Sequence, residues 1–208
     1  MLIRHSVKEQ IYEIIKERIL QGEYAPGDVV NIAQLSVELE ASNTPIREAL
    51  SRLESDGLIV KSGSRHSVVM INDKMNEDMD QAFSVLLTAG LDLCVKAGKL
   101  DELANDLRCA FDEQKKAFGG KDFNDYLRKT IEFDFSCVKV SGNALLMSML
   151  EWAALFLMFS ISTKHKGNFE YSMQEHEEIL SAVESRDSDM ARELIIAHFN
   201  KPLSKYPV

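Results

Sequence analysis

Apolar positions between residues 6 and 59 recur at helical spacing, in three short runs separated by polar turns. In "SVKEQIYEIIKERILQ" (6–21), Val7, Ile11, Ile14, Ile15 and Ile19 make the predicted buried stripe, and Ser6 with Glu9 makes a capping box. Gly22 and the Pro26-Gly27 turn close that run. Asn31 is placed to cap a second helix, "IAQLSVELE", with Ile32, Leu35 and Leu39 facing inward. The third run, "SNTPIREALSRLESDGLI" (42–59), organises the rest. Ser42 or Thr44 supplies its cap, Pro45 fits the first turn, and Gly57 stands where a left-handed C-cap belongs. Ile46, Ala49, Leu50 and Leu53 fall on one side, Arg47 and Ser51 on the other. Two short helices with so brief a link predict a helix-turn-helix. A helix with an apolar back and a polar N-terminal front suits a major groove; the same pattern also fits any amphipathic surface helix.

After Gly57 the period changes to that of strands. "LIVKS" and "HSVVMI", split by "GSR", predict a two-stranded hairpin, the wing of a winged helix, with Arg65 at its tip. An isolated hairpin is marginal, so it must pack on the three helices. Around "NDKMN" (72–76) the pattern turns helical for good. Helices are predicted at roughly 75–98, 100–118, 121–140, 143–164, 170–186 and 188–200, with "GG", "SGN" and "KGN" between them. The expected fold class is mainly α: an N-terminal winged helix-turn-helix of three helices plus a β-hairpin over 1–72, then an all-α helical bundle over 73–208. Six such helices enclose an interior large enough for a ligand. "MSMLEWAALFLMF" spreads its apolar side chains around the helix, which fits core or dimer packing, or a flexible Met-rich ligand lining. The bundle carries more apolar surface than a small core needs, so a homodimer is expected.

Composition narrows the setting. Three cysteines (Cys94, Cys109, Cys137) give no disulfide framework, and no apolar run reaches the length of a membrane span. With no charged-then-apolar leader, the expected location is cytoplasmic, with no membrane partner. The net charge of −9 is unusual for a nucleic-acid binder, because phosphate contacts draw on Lys and Arg. Through residue 72, Arg4, Lys8, Lys16, Arg18, Arg47, Arg52, Lys61 and Arg65 are outnumbered by acidic residues. Local basic patches can still serve within an acidic whole.

The segment "GEYAPGDVVNIAQLSVELEASNTPIREALSRLESDGLI" resembles the GntR family of transcription regulators. Pro26, Gly27, Ser42, Pro45, Arg47, Glu48, Ala49, Leu50, Leu53, Gly57 and Leu58 stand where that family's pattern has them. "SGN" and "HEEILSAVESRDSDMARELIIAHF" resemble the branch with an all-helical FCD-type effector domain. The resemblance spans nearly the whole chain. It implies a dimeric, ligand-responsive DNA-binding regulator whose partners are a double-stranded DNA operator and a small-molecule effector, a carboxylate among the candidates. The DNA-contact set it implies is Ser42, Asn43, Thr44, Arg47, Ser51, Arg65 and His66. Three positions depart from the family's pattern: Asn43 stands for a usual Arg, Ala33 for a frequent basic residue, and His66 for the wing-tip Gly.

The resemblance also implies a ligand set in the bundle: an Asp-x-x-x-His pair on one helix and two later His residues. Counting back from Asn143, the first pair falls on Thr130 and Asp134, and the later two are His176 and His198. Asp134, His176 and His198 make a two-His-one-carboxylate set suited to a divalent ion such as Zn, Ni or Mn. Thr130 and Asn143 are then expected beside the effector pocket. A metal-free, hydrogen-bonded pair of His residues is the alternative. His5 and His165 are expected to be solvated. A sensor with weakened DNA binding is the competing function. A metal-dependent hydrolase finds no nucleophile or oxyanion site, so no enzyme is expected.

Overall fold

The computed structural model describes residues 6–120, 122–164 and 170–200. Contacts within the chain divide it into two units, Met1–Asn72 with Phe159–Lys164, and Asp73–Met158 with His165–Val208. His5, His165 and the expected break at 166–168 lie outside the described residues.

In the first unit, α1 (Val7–Leu20), α2 (Ile32–Glu38) and α3 (Asn43–Ser55) precede a hairpin of β1 (Ile59–Ser62) and β2 (Arg65–Val68). Ser6 caps α1 with Glu9 reaching back to it. The buried face of α1 is Ile11, Tyr12, Ile15, Ile19 and Leu20. Val7 and Ile14 are exposed, a correction to the expected stripe: helical period puts them at its edges, and α3 covers only its centre. Asn31 caps α2 through Ala33 and Gln34. That helix ends two residues early, before Glu40, which takes a left-handed φ of 49°.

Ser42 occupies the N-cap position of α3, but its side chain makes no cap hydrogen bond. The C-terminus is closed as expected. Gly57 at φ 81° directs its N–H to Glu54 O, and Leu58 N–H reaches Leu53 O, the two bonds of a Schellman motif. Ile46, Leu50 and Leu53 are fully buried against α1 and α2, each contributing about 1.5–3 kcal/mol by burial. The hairpin pairs Ile59 with Val68 and Ser62 with Arg65, leaving Gly63-Ser64 as a two-residue loop. Gly63 takes φ 62° while Ser64 keeps a negative φ, which is the type II′ arrangement that matches strand twist. The segment 27–30 zips onto the other side of β2, through Gly27 N–H to Val68 O and Val30 N–H to His66 O. That third partner, together with Ile59 and Val68 in the core, holds the wing down.

The second unit is a bundle of α4 (Asp73–Lys96), α5 (Leu100–Phe118), α6 (Phe123–Ser141), α7 (Ala144–Lys164), α8 (Glu170–Glu184) and α9 (Ser188–Phe199). Every predicted helix is present, with ends shifted by up to two residues. α6 lies at the centre, contacting α4 and α5, and is buried all round from Phe133 to Val138. Asp122 caps it through Asn124 and Asp125, and Gly142 at φ 76° ends it. α4 approaches α6 closely because Gly90 has no side chain: a Cβ there would stand 2.8 Å from the Cys137 carbonyl carbon. Nearby, the Cys94 thiol donates to Cys137 O at 3.3 Å. Gly90→Val is therefore expected to destabilise the bundle by about 1–3 kcal/mol or more, since the obstacle is backbone. Denaturant unfolding monitored by far-UV circular dichroism measures it.

α8 turns into α9 through Ser185–Asp187. Arg186 sits at φ 61° in a second Schellman closure, with Arg186 N–H to Val183 O and Asp187 N–H to Ala182 O. Its guanidinium grips both oxygens of Asp101 at 2.7 and 2.8 Å. Asp187 then caps α9 through Met190. This turn sets the register of α8 against α9.

Candidate functional site

On the first unit, Ser42, Asn43, Thr44, Arg47 and Ser51 are all exposed, on the face of α3 opposite its buried stripe. Arg65 is exposed at the wing. His66, expected beside it, is buried, with 4% of its surface exposed. This corrects its place among the contact residues: β alternation turns it to the same sheet face as Val68, inward. Burial pushes its pKa down, helped by the positive charges of Lys61 and Arg47. His66 is thus a neutral wedge behind a small basic corner.

Lys61, paired with His66 in the hairpin register, is a candidate that spacing in sequence did not single out. Lys8 pairs with Glu48, Lys16 with Glu13 and Arg18 with Glu38, while Arg52 lies over the Tyr12 ring. Tyr12 in turn donates to Asp56 at 2.7 Å. Among the described residues of this unit, Arg47, Lys61 and Arg65 are exposed and form no ion pair. Pairing ties up Lys8, Lys16 and Arg18 and leaves Arg47, Lys61 and Arg65 as exposed cations at α3 and the wing.

In the second unit, Asp134 from α6, His176 from α8 and His198 from α9 converge. His176 Nε2 stands 3.3 Å from Asp134 Oδ1, His198 Nε2 stands 3.7 Å from the same oxygen, and the two Nε2 atoms are 3.4 Å apart. The ring of His176 stacks on Phe133 at 4.1 Å, and His198 meets Phe199 edge-on at 4.7 Å. His176 is fully buried and Asp134 nearly so. Desolvation lowers the pKa of both imidazoles, against the opposing pull of Asp134. Both rings are held neutral.

The outer nitrogens decide which proton each neutral ring keeps. The Gln114 amide donates through Nε2 to Thr130 Oγ1 at 2.9 Å, and Thr130 donates on to Tyr126 O. Gln114 Oε1 is thereby left to accept from His176 Nδ1–H at 2.8 Å. On the other side, Glu175 Oε2 accepts from His198 Nδ1–H at 2.6 Å. With both Nδ1 atoms protonated, both Nε2 atoms carry lone pairs, and these face each other and a carboxyl oxygen.

Three such donors are what a cation collects. Donors each about 2.0–2.2 Å from one tetrahedral ion stand about 3.3–3.6 Å apart, and the edges here are 3.3, 3.4 and 3.7 Å. Two edges fall in that range and the third just beyond it, so the residues fit a divalent ion with a small adjustment of His198.

The two residues expected beside the effector pocket, Thr130 and Asn143, each make a structural hydrogen bond. Thr130 is buried and holds Gln114, which in turn meets His176. Asn143 accepts from Leu145 and Leu146 N–H at 3.2 and 3.1 Å, capping the start of α7. The sequence cue for that role is Asn immediately before an apolar helix. The sequence pattern does not single out Gln114 or Glu175. Gln114 is a polar residue at a stripe position of α5, alongside Leu103, Leu107 and Phe111, and that is the signal that would have found it.

A winged helix-turn-helix followed by an all-α bundle defines a class of bacterial regulator. Residues 7–68 match the family described as bacterial regulatory proteins, gntR family, and residues 89–201 match the FCD domain. The chain belongs to the GntR family, in the branch that carries an FCD domain. It is a DNA-binding transcriptional regulator with a ligand-responsive domain. Among its relatives, the HTH-type transcriptional regulator YdhC of Bacillus subtilis (strain 168) is 26% identical over 196 residues, covering 92% of this chain and 87% of that protein. A probable D-xylose utilization operon transcriptional repressor of Paenarthrobacter nicotinovorans is 24% identical, covering 95% of this chain and 87% of that protein. Of solved structures, a putative GntR transcriptional regulator from Rhodococcus sp. RHA1 shares the fold at TM-score 0.77 and 15% identity, over 94% of both chains.

Proposed function

We propose that this regulator binds its DNA operator as a homodimer in the cytoplasm, under the control of a divalent ion and a small-molecule effector in the bundle. Asp134, His176 and His198 would hold the ion, Zn, Ni or Mn. The observation that carries this is the set of three lone-pair atoms facing one another, with the protons of both rings committed to Gln114 and Glu175. When bound, the ion supplies a Lewis-acidic centre for an effector oxygen, such as that of a carboxylate. Asp134 offsets its charge, and the Phe133 and Phe199 rings keep water away from it. α4 starts five residues after the end of β2 and carries Asp80, whose charge acts on His198. It is the covalent route from the cluster to the wing.

Arg47, with Thr44, Asn43, Ser42 and Ser51 around it, is the base-reading element; Arg65 and Lys61 are phosphate or minor-groove contacts. Selection from randomised duplexes, followed by binding titrations at several salt concentrations, tests this. A preferred sequence with paired half-sites is the expected result. Weak binding that is the same for every duplex would favour a sensor whose DNA contacts have faded.

Leu145, Met149 and Trp152 follow one another at i, i+4 and i+7 on α7 and are 68%, 47% and 55% exposed. Such a stripe supports a dimer contact. Sedimentation at micromolar concentration is expected to give a dimer, and Trp152→Glu to weaken it by about 2 kcal/mol or more. A wild-type monomer, with and without DNA, would exclude the dimer.

A further inference from the structure

The two imidazoles of the cluster are not supported alike. His176 donates its outer N–H to a neutral amide, Gln114, at 2.8 Å. His198 donates its outer N–H to a carboxylate, Glu175, at 2.6 Å. Both partners belong to the bundle and meet the outer Nδ1 atoms, not the inward Nε2 atoms. Gln114 is fully buried and is itself held by Thr130. The side chains of Glu175 and His198 are 12% and 10% exposed, so this side of the cluster lies nearer solvent.

We propose that Glu175 is the positioning residue of the cation site: it fixes His198 with its Nε2 lone pair inward and strengthens that nitrogen as a donor. The inference rests on the proposed metal site. A neutral imidazole has one N–H and one lone pair, and an acceptor on Nδ1 forces the lone pair onto Nε2. Without such an acceptor, His198 is free to place its proton on Nε2, where it would satisfy Asp134 and block a cation. An ionised carboxylate at Glu175 can only accept, so it disfavours that tautomer. Its charge adds a second effect, because a hydrogen-bonded carboxylate raises the basicity of the ring's other nitrogen. Gln114 performs only the first task for His176. The support is therefore asymmetric, and the charge that sharpens it resides on α8, one residue before His176.

The test uses the full-length protein with Zn²⁺ as the probe, titrated against a chromogenic chelator, alongside ¹⁵N NMR of the imidazoles in the metal-free protein. Glu175→Leu removes the acceptor and the charge; Glu175→Gln keeps an acceptor and removes the charge. Losses of metal affinity of about 10–100-fold follow removal of such partners. The upper end is expected for Glu175→Leu and the lower end for Glu175→Gln. Glu178→Gln, exposed on the same helix, is expected to bind as wild type does. In the spectra, wild-type and Glu175→Gln His198 are expected to show a protonated Nδ1 and an unprotonated Nε2, and Glu175→Leu a mixture of tautomers. A merely structural role for Glu175 would not move the tautomer. A wild-type His198 protonated at Nε2, or a Glu175→Leu protein binding Zn²⁺ within threefold of wild type, would overturn the inference. If the wild type binds no Zn²⁺ at all, the proposed site fails, and the tautomer of His198 still decides the role of Glu175 by itself.

Discussion

His176→Ala protein, purified without chelator, is expected to carry no stoichiometric metal, whereas wild type carries about one ion per chain, three protein donors being the minimum of ordinary metal sites. The substitution removes the most deeply buried donor of the cluster and leaves the Gln114 amide facing an empty space. His198→Ala is expected to act in the same direction. Acid acts on the same atoms. Desolvation holds both imidazole pKa values below the ordinary 6.5, so the rings stay neutral and able to ligate somewhat below that pH. Metal affinity should then fall as the pH drops further, because a protonated imidazole has no lone pair to offer. The metal-free bundle follows the same sign. Its unfolded state binds protons on these histidines at higher pH than its folded state does, so stability present above about 6.5 is lost as the pH falls below it. Elemental analysis across a pH series, with thermal unfolding of the metal-free protein, checks both statements. An undiminished metal content in His176→Ala would remove His176 from the site.

Arg47→Ala is expected to cost about 1–3 kcal/mol on a selected operator and to relax the preference at one base pair of each half-site. Arg47 is exposed on the front of α3, whose back is pinned by Ile46, Leu50 and Leu53, so the substitution leaves the fold alone. A guanidinium there can fork onto guanine O6 and N7. Lys61→Ala, by contrast, is expected to weaken binding to all duplexes alike and to reduce the salt slope by about one. Titrations by fluorescence anisotropy separate the two. Equal loss on every duplex would make Arg47 a phosphate contact, and no loss would move the DNA surface elsewhere.

The fold was legible because its signals are local. Ser6 with Glu9, Asn31, Gly57 and the shift from period 3.6 to period 2 at Leu58 each act within a few residues. The errors arise where a third element decides. Val7 and Ile14 share a helical face with Ile11, but the width of the face covered by α3 is not written in α1. The sequence places His66 at the wing tip; the pairing of β2 with β1 and with 27–30 turns it inward. The site divides in the same way. Asp134, His176 and His198 were found through family positions, and they do converge. Gln114 and Glu175 were not found, because their role depends on distances across helices 62 and 23 residues apart in sequence. Thr130 and Asn143, expected beside the effector pocket, make hydrogen bonds whose partners the sequence does not name. The first holds Gln114 and the second starts α7.

Anomalous X-ray scattering from crystals of the protein purified without chelator, or incubated in turn with Zn²⁺, Ni²⁺ and Mn²⁺, tests the metal site directly. The expected result is one anomalous peak per chain, in contact with Asp134 Oδ1, His176 Nε2 and His198 Nε2 together. No peak at that position with any of the three ions would contradict the metal site and leave a metal-free polar pocket in which the effector is recognised by hydrogen bonds alone.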